Sequence, residues 1–220
     1  HRQVIAVQDA TITAFCALAE ERDTDTGRHI HRTQRYVRVL AEELRDHPRF
    51  RSALDDATIE LLFKSAPLHD IGKVAIPDAI LLKPGKLTAA EWEIMKRHAE
   101  YGRLAIAQAS AELKDGDDRF LRHAADIAQG HHERWDGSGY PGGLAGDAIP
   151  LSARLMAVAD VYDALVSRRV YKDPIPHERA LAMIAAERGR HFDPDMTDAA
   201  AAIADRFAAI AAEFSDPARS

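Results

Sequence analysis

Apolar residues along this 220-residue chain recur every three or four positions and almost never at every second one, so helices must make its buried surface. Over residues 3–21 they fall at Val4, Val7, Ile12, Phe15, Leu18 and Ala19, and over residues 30–44 at Tyr36, Val37, Leu40 and Leu44. A third run covers 56–67. Thr88 followed by Glu91 forms a capping box that opens a long helix through Trp92, Ile94, Met95, Leu104 and Ile106. Further helices are expected over 119–128, 152–170 and 177–188, and the last opens at Asp193-Pro194, a cap residue followed by proline at the first helical position. The best alternating run, Lys73 to Ile76, is short and ends at Pro77. The expected class is all-α.

The longest irregular stretch, 131–150, carries Gly137, Gly139, Gly142, Gly143 and Gly146. A loop of this length between helices is more often functional than incidental, shaping a substrate entrance or docking a partner, although its glycines also serve tight turns. With no repeat and no low-complexity linker, one domain over 23–215 is expected. Residues 1–22 would form an N-terminal helix leading from a regulatory domain outside this sequence, and its apolar face could support a homodimer.

Net charge is −6, which argues against long nucleic acids as partners. Cys16 is the only cysteine, lies in an apolar helical run and reads as a buried small hydrophobe. No apolar run reaches membrane-spanning length and the N-terminus has no signal-peptide pattern, so a cytoplasmic location without membrane contact is expected.

Eleven histidines are placed unevenly. His69-Asp70 and His131-His132 are adjacent pairs, His29 and His98 belong to helices, and Asp160 lies in the helix after the glycine loop. Imidazoles with carboxylates and no thiolate suit Fe, Mn, Ni, Co or Zn. A carboxylate such as Asp70 has two accepting oxygens and can bridge two ions. A lone helical histidine is usually a surface or satisfied core residue, and His47, His123, His177 and His191 are read that way.

Five segments, in order, resemble the HD-GYP phosphodiesterases, a branch of the HD metal-hydrolase superfamily. They are Asp25-Thr-Gly-Arg-His29-Ile-His-Arg32, His69-Asp-Ile-Gly-Lys73, Met95-Lys-Arg-His98, His131-His-Glu-Arg-Trp-Asp-Gly-Ser-Gly-Tyr-Pro141, and Ala159-Asp160-Val-Tyr-Asp163-Ala-Leu165 followed by Arg169-Val-Tyr-Lys172. The resemblance implies an HD-superfamily helical bundle with the glycine-rich loop over a metal site. It further implies two divalent transition-metal ions held by His29, His69, Asp70, His98, His131, His132 and Asp160. Asp70 and Lys73 would take part in catalysis, and Arg169, Lys172 and Tyr140 would contact substrate. Asp163, one turn beyond Asp160, is assigned to a histidine N–H. Some members hold a third metal on a glutamate four residues before the first histidine; Asp25, with a shorter arm, points to two, and it can equally cap the next helix.

The implied activity is hydrolysis of cyclic di-GMP to pGpG, with a second cut to GMP open, in second-messenger signalling. A receiver domain on the N-terminal side and diguanylate cyclase domains are the implied partners. Hydrolysis of other nucleotides or of linear pGpG, and a receptor that binds cyclic di-GMP without cutting it, are the competing readings.

Overall fold

The computed structural model describes residues 10, 12, 14–16, 19, 28–112, 118–167 and 174–214. Of the expected first helix, the described positions are helical, with Cys16 and Ala19 buried and Phe15 exposed. Among the described residues ten α-helices follow from residue 28: α1 (Arg28–Leu44), α2 (Asp56–Ser65), α3 (Asp78–Leu81), α4 (Ala89–Lys96), α5 (His98–Ala111), α6 (Arg119–Gly130), α7 (Leu151–Val166), α8 (His177–Ala186), α9 (Pro194–Ala202) and α10 (Ala204–Glu213). Among the described residues no strand forms, only isolated bridges at Asp136–Ala145 and Arg188–Phe192. The Lys73 to Ile76 run, the best strand pattern in the sequence, lies instead in a tight turn of 3-10 helix, Ile71–Ala75.

Local signals set several helix ends. Asp55 caps α2 by accepting from Thr58 N at 2.7 Å. Both halves of the Thr88–Glu91 capping box are present, and Asp193 caps α9 with Pro194 at its first position. Three expectations change. The helix expected from Thr88 through Ile106 is broken at Arg97 into α4 and α5. The helix expected over 152–170 stops at Val166, because Ser167 is extended and Leu165 O accepts from Ile175 N at 2.9 Å as the chain returns. The final helix is interrupted at Ile203 and continues as α10.

The main core gathers α1, α2 and α6–α10 around three rings. Tyr36 of α1, Tyr162 of α7 and Phe207 of α10 have centroids 4.9–5.0 Å apart, and all three are fully buried. A smaller cluster of Ile106, Ala124 and Ala128, with Leu68 and Ile71 against it, joins α5 and α6 to the segment before and after His69-Asp70. Here backbone touches backbone. A Cβ at Gly72 would meet His98 O at 2.0 Å and Gly102 N at 2.5 Å, so only glycine lets the Ile71–Ala75 turn lie on α5.

Candidate metal centre

Five parts of the chain deliver side chains to one place. The first turn of α1 brings His29, the junction between two 3-10 turns brings His69 and Asp70, and the start of α5 brings His98. The end of α6 brings His131 and His132, and α7 brings Asp160. They fall into two sets whose donor atoms lie within 4.8 Å of one another: Asp70, His98, His131 and His132 in one, and His29, His69 and Asp160 in the other. That spread is close to twice a metal–nitrogen bond of about 2.1 Å, so each set could hold an ion. The two sets meet at the adjacent His69 and Asp70.

The imidazoles are poised by hydrogen bonds at their far side. Nδ1–H donates to Ala66 O from His69 (3.0 Å), to Met95 O from His98 (2.7 Å) and to Ile127 O from His131 (2.9 Å). His29 Nδ1–H donates to Asp163 Oδ2 at 2.8 Å, the role expected for that aspartate. Each bond fixes the tautomer and leaves an Nε2 lone pair facing the cluster. In the Asp70 set the consequence is electron pairs with nothing to share. His98 Nε2, His131 Nε2 and Asp70 Oδ1 are buried without a hydrogen-bond partner, although Asp70 Oδ1 lies only 3.4 Å and 3.7 Å from the two nitrogens. His29 Nε2 and His69 Nε2 face each other at 3.2 Å. Buried polar atoms such as the three of the Asp70 set are rarely left unpaired, and a cation there would satisfy them, while one in the other set would take the lone pairs that His29 and His69 turn toward each other. The donor chemistry fits a divalent metal.

Asp70 stands between the sets. Its Oδ1 faces His98 and His131, while its Oδ2 lies 3.3 Å from His69 Nε2 and 2.7 Å from Lys73 Nζ. Burial favours the protonated carboxyl, but the Lys73 ammonium and the neighbouring histidines hold it well below the usual carboxylate range. Burial pushes His98 and His132 down and His131 to about 4, so these rings are neutral at pH 7 and their lone pairs available. His69 goes the other way: burial lowers it, but Asp70 outweighs burial and raises it.

The glycine loop is tied down around the site. Tyr140 stacks on His132 with centroids 4.7 Å apart, and Tyr140 N donates to His132 O at 3.2 Å. Gly137, Gly143 and Gly146 adopt positive φ, which side chains resist. Arg49 and Arg154 bridge Asp147 of the loop to Asp193 at the start of α9.

Two supporting residues stood in the sequence motifs without an assigned role. Buried Glu133 accepts from Gly142 N at 2.6 Å and Leu144 N at 3.0 Å, clipping the loop shut behind Tyr140. Buried Arg32 grips both oxygens of Asp163, at 2.6 Å and 3.0 Å. Its spacing of three from His29 was the available signal, since it puts both side chains on one helix face. Arg169, Lys172 and Asp25 lie outside the described residues. His47, His177 and His191 sit apart from both sets, packed on Phe50, bonded to Tyr162 Oη and stacked on Phe192 respectively.

Comparison with known proteins bears on the family and the fold. Residues 18–196 match the model of the HD domain family. The chain is 54% identical over 216 residues to a cyclic di-GMP phosphodiesterase of Vibrio cholerae, covering 98% of this chain and 44% of that protein. It is 43% identical over 197 residues to the 3'3'-cGAMP-specific phosphodiesterase 2 of the same organism, covering 90% of this chain and 35% of that protein. The chain thus spans less than half the length of these curated relatives. Bd1817, an HDG"Y"P protein from Bdellovibrio bacteriovorus, shares the fold with a TM-score of 0.57 at 19% identity, over 82% of this chain and 54% of that one. The all-helical frame, the convergent histidines and aspartates and the sequence match lead to one assignment: the chain belongs to the HD domain family.

Proposed function

We propose that this chain hydrolyses a phosphodiester bond of cyclic di-GMP, releasing pGpG, with two divalent transition-metal ions held by the two donor sets. The observation that carries this reading is the position of Asp70, with one oxygen facing each set, as a bridging ligand requires. The 54% identity to a cyclic di-GMP phosphodiesterase supports the choice of substrate.

Bound there, divalent ions would supply Lewis acidity toward water and toward the phosphoryl oxygens. His29, His69, His98 and His131 present fixed Nε2 lone pairs, and Asp160 and His132 complete the two sets. Lys73, now on Asp70 Oδ2, is placed to neutralise a phosphoryl oxygen or to protonate the departing 3' oxygen. Tyr140 lines the site from the glycine loop, and Arg169 and Lys172 would hold the second phosphate. Arginine suits that task through its planar fork of donors. Residues 1–22 would link the domain to a regulatory partner.

A second reading, 3'3'-cGAMP as substrate, is favoured by the 43% identical relative. Purified protein loaded with Mn, Fe or Zn should convert cyclic di-GMP to pGpG, followed by chromatography beside parallel reactions with 3'3'-cGAMP and linear pGpG. His69→Ala and Asp70→Ala should abolish that conversion and keep the helical circular dichroism. Tight binding of cyclic di-GMP without pGpG release in the metal-loaded wild type would replace hydrolysis by a receptor role.

A further inference from the structure

Helix α4 buries none of its eight residues, yet it is held firmly at its start. The capping box closes its first turn, and Lys83 Nζ bonds both oxygens of Glu91 at 2.8 Å and 2.6 Å. The residue next to that clamp is Trp92, 45% exposed. Core packing gives no reason for a large indole here. Its neighbours do. Trp92 stands edge-to-face on Tyr140, centroids 6.0 Å apart and planes at 80°, and Tyr140 stacks on His132 at 4.7 Å. A line of rings therefore runs from the donor set of Asp70 to an indole with nearly half its surface open. Lys96, one turn along α4, adds a cation 5.8 Å from the Tyr140 centroid.

We propose that Trp92 is a base-stacking residue, taking a purine of the substrate on its open surface while the phosphate lies at the donor sets. The inference rests on the reading of those sets as a phosphodiester site. A nucleotide's base hangs one ribose from its phosphate, and Trp92 stands one ring, Tyr140, from His132. Every base has a π face, so an aromatic wall gives affinity for the base without hydrogen-bond readout. The clamp on α4 keeps the indole in place before substrate arrives, which reduces the ordering cost of binding.

The test separates base from phosphate. GMP and ribose 5-phosphate are titrated calorimetrically into Mn-loaded wild type, Trp92→Ala and Trp92→Phe. Wild type should prefer GMP. Trp92→Ala should weaken GMP about tenfold, the size of one lost base stack, and leave ribose 5-phosphate unchanged. Trp92→Phe should fall between. Because α4 buries nothing, all three should melt together. Equal weakening of both ligands, or no change in either, overturns the inference. Turnover of cyclic di-GMP by wild type is read separately: no pGpG with the GMP preference intact would retire the hydrolytic reading and keep Trp92 as a base-stacking residue.

Discussion

The two donor sets are positioned by different means. In the Asp70 set, His98 and His131 are oriented by carbonyls three and four residues back along their own backbone. In the other, His69 is held in the same local way by Ala66 O, but His29 is oriented by Asp163, 134 residues away, which Arg32 grips from α1. The first arrangement needs little more than a helix and the turn before it. The second exists only once α1 has packed on α7, around Tyr36 and Tyr162. The histidine anchors of the Asp70 set are local and the His29 anchor of the other reports on the core, so a disturbance that slides α1 against α7 reaches His29 and Asp160 first.

The largest expected effect comes from removing what the halves share. Asp70→Ala should lower cyclic di-GMP hydrolysis to background and reduce metal bound at both sets, measured by elemental analysis of dialysed protein. A full complement of metal in that variant would break the picture of a shared carboxylate. Next comes Asp163→Ala, which strips His29 of its acceptor and takes the carboxylate away from buried Arg32. Metal affinity at the His29 set should fall about 10–100-fold while the Asp70 set is spared. The lost buried pair should also cost about 3–5 kcal/mol in denaturant unfolding. Equal loss at both sets would erase the distinction drawn here.

A smaller effect follows from charge. His98, His131 and His132 are held below their ordinary pKa by burial, so the unfolded chain binds protons before the folded one. Stability of the metal-free protein should therefore fall as pH drops from 6.5 toward about 4, the range bracketed by His131. His69, raised by Asp70, works against this trend as one ring against three. Thermal melts in chelator across that range measure it, and a melting temperature that rises on acidification would contradict the burial argument. The smallest effect is a control. Thr88→Ala should cost about 1 kcal/mol through its lost cap and leave metal content at both sets untouched.

The helical class and most helix starts were legible because capping residues and apolar spacing are local signals. The seven candidate donors were legible as a constellation because each lies in a short motif, although their sorting into two sets was not, since it depends on how five parts of the chain meet. The break at Arg97 had no local sign. No glycine or proline stands within four residues of Arg97, and the interruption coincides with the tertiary contact of Gly72 on His98 and Gly102. Glu133 was read only as part of a motif, because its partners, Gly142 and Leu144, become neighbours only when the loop folds back.

That contact at Gly72 acts as a hard stop. Asp70 and His98 hang from the two stretches of main chain that meet there, so their spacing is set by the thickness of the polypeptide itself. Side chains elsewhere can be exchanged, and the interior can expand on warming, while this gauge keeps its length. Tuning the carboxylate-to-imidazole span would mean changing residue 72 or 102, the two places where backbone rests on backbone.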